Sequence, residues 1–349
     1  MTQKTFLLPA IEPTADAGLA ARLQHKIDHK TKPLGALGQL ESLALQLGLI
    51  QGSEAVRLSA PQMVVFAADH GVASEGVSAF PQAVTLQMVA NMLAGGAAIN
   101  VLARQHGFAL QVVDAGVAGD LADHPQLIQR KIAHGTHNLA HGPAMTAHQL
   151  NAALQAGSDV LTSLPGNVVA FGEMGIANTA PAALLLHRLA GVSIDDATGR
   201  GTGLTDPQLA HKQGVLRRAA QWHKHAVQPL DALAAMGGFE IAMMTGAMLQ
   251  AASQRRVVLV DGFIAGSAAL VACAVAPAVK DYMVFCHRSA ERGHRLLLAH
   301  LTARPLLDLD LRLGEGTGAL LAWPLVQSAA LLLNEMASFE SASVSGRAA

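Results

Sequence analysis

Short runs of consecutive apolar residues alternate along the chain with longer segments of helical periodicity. Five such runs stand out, at 63–68, 109–113, 167–171, 256–260 and 282–286. A strand that is apolar on both faces is typical of a parallel sheet covered by helices on both sides. The alternation of strand and helix therefore predicts an α/β fold with a doubly wound, Rossmann-like parallel sheet covered by helices.

Polar residues or glycines follow each of the five predicted strands. In such sheets a ligand binds beyond the carboxyl ends of the strands, which is where these clusters fall. One cluster alone would more often be an ordinary turn, but five together favour a ligand site. The clusters are Asp69-His70-Gly71, Asp114-Ala115-Gly116, Gly172-Glu173-Met174-Gly175, Asp261-Gly262 and His287-Arg288-Ser289.

The two ends of the chain contain helical patterns without a strand candidate. Residues 17–28 and 39–49 form amphipathic patterns on either side of Lys32-Pro33-Leu34-Gly35, and 319–339 is also predicted to be helical. Both ends could pack together as a small helical domain. We predict residues 1–50 as its N-terminal part, 51–310 as the α/β domain, and 311–349 as an active-site loop and helix that rejoin the small domain.

Composition limits the classes of partner. The chain has 349 residues, 51% of them hydrophobic and only 3% aromatic, with a net charge of −1. A core of this size fits one large domain with an appendage. Balanced charge and few aromatic side chains argue against a nucleic-acid partner.

Targeting and redox features predict a cytoplasmic protein without a membrane span. The apolar stretch before Pro9 is too short for a signal peptide, and the apolar run at 263–279 is interrupted by Gly266. Cys273 and Cys286 have apolar neighbours and no CxxC spacing, so we predict neither a disulfide nor a zinc site.

Glu315 is an isolated carboxylate within Leu313-Gly314-Glu315-Gly316-Thr317-Gly318. Three glycines leave little bulk around it, so a flat substrate could approach it closely and the carboxylate could act as a general base. The alternative is a turn glutamate that caps the following helix. The segment alone does not decide between these two roles.

Two glycine-rich segments suit a phosphate group. The segment 171–179 follows a strand and opens a helix, so its backbone N–H groups could bind an anion. The segment 198–204 is a second glycine loop, and Arg200 and Lys212 could add full positive charge to the same site. Neither segment is a dinucleotide fingerprint or a P-loop, so a single phosphate is favoured over NAD or ATP.

Other polar residues are less informative. His134, His137, His141 and His148 could suggest a metal, but nearby glycines and Pro143 favour solvated loop histidines. Methionines at 236, 243, 244 and 248 are typical of an adaptable helix core. Glu240 follows two glycines and could cap a helix.

Taken together, seven ordered segments between about residue 20 and residue 340 resemble the nicotinate-nucleotide:dimethylbenzimidazole phosphoribosyltransferase family, which activates the lower ligand base of cobalamin. They are 32–38, 68–72, 76–81, 172–179, 198–204, 237–241 and 313–318. The resemblance implies a Rossmann-like sheet domain with a small helical domain from both chain ends, and a homodimer. One departure is the histidine-rich stretch 131–144, which lies outside these motifs.

The resemblance also implies site residues. Glu315 matches the catalytic base, with Leu313 beside it in the base pocket, and Glu173 matches a second acidic residue near the ribose. Further matches bind the nucleotide phosphate and ribose, at Gly175, Ile176, Asn178, Gly201 and Lys212. The segment that contacts benzimidazole contains Ser78, Phe80 and Gln87.

The implied reaction transfers phosphoribose from nicotinate mononucleotide to 5,6-dimethylbenzimidazole, giving alpha-ribazole 5′-phosphate and nicotinate. Nicotinate leaves without needing a proton, so neither an acid partner, a metal nor a cofactor is expected. The acceptor must lose one ring proton, for which one carboxylate suffices. Two alternatives remain at this point: a nucleotide-dependent oxidoreductase, which would need a dinucleotide fingerprint, and a non-catalytic nucleotide sensor, which would not need Glu315.

Overall fold

The computed structural model describes residues 6–345. Over this range the chain forms one six-stranded sheet in which every pairing is parallel. The strand order is β3-β2-β1-β4-β5-β6, the order of a Rossmann sheet. The strands are β1 (Gln62–Ala68), β2 (Ala109–Gly116), β3 (Leu127–Gln129), β4 (Val168–Met174), β5 (Val257–Val260) and β6 (Met283–Phe285).

Helices connect most of the strands, as is usual for parallel pairing, whereas a loop at 117–126 joins β2 to β3. Five precede β4: α1 (Ala17–Asp28), α2 (Gln39–Gln51), α3 (Ala83–Leu93), α4 (Ala98–His106) and α5 (Ala147–Ser163). Five lie between β4 and β5: α6 (Thr179–Ala190), α7 (Ile194–Ala197), α8 (Asp206–Trp222), α9 (Pro229–Met236) and α10 (Phe239–Ser253). The last three are α11 (Phe263–Val275), α12 (Arg292–His300) and α13 (Thr317–Glu335), and two 3-10 helices span Gly71–Glu75 and Pro277–Tyr282.

The apolar runs become strands because both faces of the sheet are covered. Every residue of β1 is buried, and α10 contacts β1, β2, β4 and β5. Helix α10 also packs closely on α5, where a Cβ at Gly157 would lie 1.9 Å from the Met243 carbonyl oxygen. Met243, Met244 and Met248 are fully buried in this layer. The predicted α/β class and the methionine core are confirmed.

Strand β3 was not predicted, and two strands end later than their apolar runs. β3 has three residues and pairs only with β2, from Val112↔Leu127 onward, so its pattern is too short to recognise. β2 extends to Gly116 and β4 extends to Met174. Glu173 is therefore part of a strand, paired with Phe66 of β1, and does not lie in a turn after it.

Both ends of the chain pack together. The N–H of Thr31 donates to Ala337 O at 3.0 Å, and Lys30 Nζ donates to Met336 O at 2.5 Å. Helix α13 packs on α2, and α2 packs on α1. This agrees with a small helical region from both termini, while the exact boundaries at 50 and 310 stay a prediction.

The last predicted helix was too long. Helix α13 ends at Glu335, and Met336 adopts an extended ψ of 131°. Beyond it the chain pairs with the segment after α1, through a bridge between Lys30 and Ser338 and a bond from Phe339 N to His29 O. Residues 336–339 are therefore drawn out of the helix by pairing with the other chain end.

Two segments are long and apolar enough to cross a membrane by length and composition, Ala83–His106 and Thr317–Glu335. The first consists of two helices, α3 and α4, separated by a turn at Gly95 with φ of +81°. The second is α13, which packs on α2, α4 and β4 and is more than half buried. The run at 263–279 forms the buried helix α11 followed by a 3-10 turn. Residues 1–5 of the proposed non-signal N-terminus lie outside the described residues.

Candidate active site

A cavity of about 310 Å³ opens at the carboxyl ends of β4, β5 and β6. This is the edge of the sheet where the polar clusters were predicted to meet, next to the switch point between β1 and β4. Eight of the predicted site residues line it: Glu315, Glu173, Gly175, Ile176, Asn178, Gly201, Phe80 and Leu313. Lys212 lies just behind the wall, whereas Ser78 and Gln87 are not part of the lining.

The Glu315 carboxylate is held by a helix other than the one it precedes. Its Oε2 accepts a hydrogen bond from the N–H of Ile99, in the first turn of α4, at 3.1 Å. The residue has a left-handed φ of +62° and is only 5% exposed. Burial raises the pKa of Glu315, the Ile99 bond lowers it, and the nearby Asp261 charge raises it further. The result is a buried carboxylate with increased proton affinity.

Glu315 does not take the alternative role of capping α13, because the side chain of Asp261 binds the first N–H groups of that helix. Asp261 Oδ2 accepts from Gly316 N at 3.2 Å, and Oδ1 accepts from Ala319 N at 3.0 Å. These bonds satisfy two of the N–H groups that the start of a helix leaves free. Glu315 is thereby left to face the cavity.

The glycines around Glu315 serve packing within the protein. A Cβ at Gly314 would lie 2.2 Å from Glu173 Oε1, and one at Gly318 would lie 2.0 Å from His287. Gly172 of β4 similarly admits the Glu315 carbonyl oxygen, which would lie 2.0 Å from a Cβ there. The space that we assigned to a flat substrate is filled by side chains and backbone that fix the position of Glu315.

Glu173 is the most strongly perturbed acid of the cavity. It is buried, and Asn178 Nδ2 donates a short hydrogen bond to its Oε2. Burial raises the pKa of Glu173 to about 8, with further contributions from the charges of Asp261 and Glu240. At neutral pH this carboxyl group is therefore mostly protonated.

The segment after β4 uses part of its backbone internally. The N–H of Ile176 donates to Thr85 Oγ1 at 3.1 Å, and that of Asn178 donates to Gly175 O at 3.2 Å. A Cβ at Gly175 would lie 2.4 Å from Ala68 O, so this glycine is required by the approach of β1. These two N–H groups, which we expected to bind an anion, instead hold the segment in place.

Positive charge gathers at the start of α6. Lys212 of α8 is 1% exposed, and its Nζ donates to Thr179 Oγ1 at 2.7 Å. Burial lowers the pKa of Lys212 to about 8, although Glu291 raises it. Gly201 lies against the same pair, since a Cβ there would be 3.2 Å from Thr179 Oγ1 and 3.6 Å from Lys212 Nζ. A buried cation, a hydroxyl and a helix N-terminus favour the binding of an anion, and we call Thr179, Gly201 and Lys212 the anion pocket.

Arg200 does not complete this pocket as we expected. Its guanidinium pairs with Asp206, donates to Leu204 O at 2.8 Å and is half exposed. The arginine that lines the cavity is Arg312, whose Nη1 lies 3.4 Å from Gly201 O. Arg200 is held away from the anion pocket because it pairs with Asp206, the first residue of α8, which is close to it in the chain.

Asp261 and His287 belong to the predicted strand-end clusters and line the cavity, although the sequence assigned no role to either of them. His287 Nε2 lies 3.4 Å from Asp261 Oδ1. Two further lining residues, Glu291 and Arg312, were not predicted at all. Glu291 and Arg312 follow no strand directly, and no pattern marked them.

Beneath the cavity lies a buried ion pair that the sequence did not predict. His70 Nε2 and Glu240 Oε1 are 2.9 Å apart, and both side chains are fully buried. Burial lowers the pKa of His70, but the charges of Glu240 and Asp69 outweigh it, so the pKa is raised. Glu240 therefore does not act as the side-chain cap we considered. The pair supports Gly175 from below, because a Cβ there would lie 3.2 Å from His70 Nε2.

Of the residues predicted for benzimidazole, Phe80 and Leu313 stand at the cavity rim, whereas Ser78 and Gln87 do not line the cavity. Phe80 and Leu313 line the cavity and are 50% and 60% exposed. Ser78 Oγ accepts from Phe80 N at 3.3 Å and so shapes the rim from behind. Gln87 lies on the exposed side of α3. Phe80 and Leu313 give the cavity an apolar mouth.

The four histidines lie apart from the cavity. His134 contacts Ala118 O at 2.9 Å, His141 contacts Glu75 Oε1 at 2.9 Å, and His137 is exposed. His148 is exposed in the first turn of α5 and thus on a helix. Within residues 6–345 no group of three or more His, Cys, Asp or Glu side chains is placed to hold a metal ion.

A parallel sheet in Rossmann order, with a cavity lined by buried acids at the carboxyl ends of its strands, is typical of α/β proteins that bind nucleotides. The profile of a family described as phosphoribosyltransferase matches residues 12–344. The nicotinate-nucleotide–dimethylbenzimidazole phosphoribosyltransferase of Variovorax paradoxus strain S110 is 59% identical over 345 residues, 99% of each chain. The enzyme of that name from Cupriavidus necator is 60% identical over 340 residues, 97% of this chain and 98% of the relative.

A solved structure agrees with these sequence relatives. The enzyme of the same name from Thermus thermophilus superposes with a TM-score of 0.91 at 42% identity, covering 95% of this chain and 100% of that one. The chain belongs to the nicotinate-nucleotide–dimethylbenzimidazole phosphoribosyltransferase family. The resemblance drawn from the seven motifs is confirmed.

Proposed function

We propose that this protein transfers phosphoribose from nicotinate mononucleotide to 5,6-dimethylbenzimidazole, with Glu315 as general base. The observation that carries the proposal is one cavity with two unlike ends. A buried carboxylate of raised pKa, Glu315, lines it together with an apolar mouth, and the anion pocket of Thr179 and Lys212 adjoins it. This suits a flat, weakly acidic heterocycle at one end and a phosphate at the other.

The acceptor step needs one proton acceptor. When one ring nitrogen of the benzimidazole bonds to the anomeric carbon, the other must lose its proton, and Glu315 takes it. Burial supports this role because it increases the affinity of the carboxylate for a proton. Nicotinate departs as the C–N bond to its ring nitrogen breaks, and the bonding pair stays on that nitrogen, so no proton donor is needed.

Glu173 is proposed to face the ribose. The donor has a positive pyridinium ring and its transition state has oxocarbenium character, and both favour the ionised form of a nearby carboxyl. With a pKa of about 8, Glu173 is mostly neutral at pH 7 in the empty site, and it releases its proton to solvent when the positive pyridinium of the donor binds beside it. Asn178, which donates to its Oε2, fixes the direction of the carboxyl.

Lys212 and the N-terminus of α6 are proposed to hold the 5′-phosphate. Gly201 lies against them, and Gly175, Ile176 and Asn178 shape the adjoining wall. Anchoring the phosphate turns binding energy remote from the anomeric carbon into alignment of donor and acceptor. Phe80 and Leu313 are proposed to grip the dimethylated ring, with Ser78 and Gln87 at its outer edge.

The decisive experiment incubates the purified protein with both substrates and follows alpha-ribazole phosphate and nicotinate by chromatography. Product in equal amounts is expected, and Lys212→Ala should weaken the use of the nucleotide. Absence of ribazole phosphate with benzimidazole, purine and phenolic acceptors alike contradicts the proposal. Binding of nucleotide without turnover would favour a sensor, and a thermal shift induced by NAD would favour an oxidoreductase.

We further propose a homodimer in the cytoplasm. Phe80 and Leu313 at the cavity mouth are half exposed or more, as expected of apolar side chains that a second copy covers in part. The two free cysteines suit a reducing compartment. Light scattering after size exclusion should give twice the chain mass of 36.1 kDa, and a monomer at micromolar concentration would contradict the dimer.

A further inference from the structure

A carboxylate of the protein itself, that of Glu291, lies against the glycine loop at 198–204. Glu291, which precedes α12, is 8% exposed and lines the cavity. A Cβ at Gly199 would lie 1.9 Å from Glu291 Oε2, so a glycine is required there to admit the carboxylate. Within residues 6–345 this buried oxygen has no hydrogen-bond partner.

The positive charges near Glu291 are those of Lys212, which is assigned to the substrate phosphate, and of Arg312, which lines the cavity. Burial raises the pKa of the Glu291 carboxyl, and the charges of Lys212 and Arg312, both outside α12, lower it. Of the neighbouring groups on α12, Arg292 is paired with Asp196, while burial lowers the pKa of His294 to about 3 and leaves it neutral. Two positive charges therefore face one negative side chain.

We propose that Glu291 and the substrate phosphate compete for one position, which makes Glu291 a specificity-determining residue. This rests on the proposed phosphate site. A phosphomonoester has up to two negative charges, which match Lys212 and Arg312 only when Glu291 moves aside or takes up a proton. The loop glycines are shared in the same way, because the Glu291 carboxylate occupies the space beside Gly199 and Gly201 lies against Lys212.

The consequence is discrimination against small anions. Inorganic phosphate must displace Glu291 with its own contacts alone, whereas a nucleotide adds contacts from its ribose and ring. The competition weakens the binding of both ligands, but only the nucleotide has contacts elsewhere in the cavity that compensate for this loss of affinity. Glu291 thus keeps the site available to the nucleotide in the presence of free phosphate.

The test compares inhibition by inorganic phosphate and the KM for nicotinate mononucleotide in wild type, Glu291→Gln and Glu291→Ala. We expect an inhibition constant for phosphate at least tenfold lower in both variants, together with a lower KM for the nucleotide. Asp196→Asn is the matched control, because it removes one negative charge from the exposed Arg292 pair outside the cavity. It should stay within twofold of wild type.

Two results would contradict the competition between Glu291 and phosphate. If phosphate inhibits Glu291→Gln no better than wild type, or the nucleotide binds it more weakly, Glu291 does not compete with phosphate. The Lys212→Ala variant distinguishes a failure of the proposed competition from a failure of the proposed phosphate site. If Lys212→Ala weakens both ligands tenfold or more while Glu291→Gln changes neither, only the competition is wrong. If Lys212→Ala changes neither, the proposed phosphate site is wrong as well.

Discussion

The carboxylate of Glu315 accepts a hydrogen bond from the N–H of Ile99, 216 positions earlier in the chain, at 3.1 Å. The proposed base is thus oriented by the first turn of α4, while its own helix α13 is capped by Asp261. The sequence left two roles open for Glu315, general base or cap of α13. In the structure Asp261 caps the helix, and Glu315 remains the proposed base. Glu315 keeps one oxygen engaged with α4 and lines the cavity.

Replacing Glu315 should separate its chemical role from its structural one. Glu315→Gln keeps an oxygen that can accept from Ile99 but cannot take a proton, so we expect turnover to fall by about a hundredfold or more with both substrates still bound. Single-turnover rates and calorimetric binding measure the two effects. Turnover equal to wild type would remove Glu315 from the base role.

Glu315→Ala provides the structural comparison. It also lacks the acceptor for Ile99, so it should unfold more easily than Glu315→Gln by about 1–2 kcal/mol in urea titrations at the same pH. Equal stability of the two variants would mean that the bond to α4 does not contribute to holding the base.

Gly172 tests how closely the base loop must approach the sheet. In Gly172→Ala the new Cβ would meet the Glu315 carbonyl oxygen at 2.0 Å, so either β4 or the loop must shift. We expect a destabilisation of about 1–3 kcal/mol and a turnover at least tenfold lower. Gly142→Ala is the control, because nothing lies within 4 Å of its added carbon. A fully active Gly172→Ala would show that the position of Glu315 is tolerant.

The strand-end pattern predicts the sheet and much of the cavity because both depend on local sequence. The runs that became β1, β2, β4, β5 and β6 are apolar on both faces, and Glu173, Asp261 and His287 lie at or just beyond strand ends. Strand β3 has only three residues, too few for a periodic pattern. Residues 336–339 leave the helix because of a pairing with His29 and Lys30 that no local pattern contains.

The roles within the cavity were harder to predict than its location. Whether Glu315 or Asp261 caps α13 depends on where the loop after β5 meets the start of that helix. Arg200 stands in the glycine loop and was the predicted cation, but it pairs with the neighbouring Asp206, and Arg312, which no pattern marked, lines the cavity instead. Glu291 enters the glycine loop from nearly a hundred residues away, and the sequence shows only that the loop is rich in glycine.

The protonation of Glu173 should make stability depend on pH. Its pKa is about 8 in the folded protein against 4.5 as the ordinary value, so between these values the folded state binds more protons than the unfolded state. The free energy of unfolding therefore falls as pH rises from about 5 to 8, by up to roughly 1.4 kcal/mol per pH unit from this group.

Glu173→Gln should remove that contribution. The difference in unfolding free energy between variant and wild type, measured in urea at pH 5, 6.5 and 8, is expected to shift steadily in favour of the variant, by a few kcal/mol at pH 8. Glu54→Gln, on the surface beside Arg22, should show no such trend. A difference that is constant with pH would mean that Glu173 is already ionised at neutral pH.

Asp261→Asn tests the acid whose charge affects both proposed catalytic residues, Glu173 and Glu315. Asparagine has one oxygen acceptor, so one of the bonds from Gly316 and Ala319 is lost, and we expect a destabilisation of about 1–3 kcal/mol. The Asp261 charge raises the pKa of both Glu173 and Glu315, so its removal lowers both. Because kcat/KM reports the base of the free enzyme, the acid limb of its pH profile should move to lower pH.

Asp308→Asn, in an exposed pair with Arg288, is the control. An acid limb that does not move in Asp261→Asn would show that the limb reports a group other than Glu315 and Glu173.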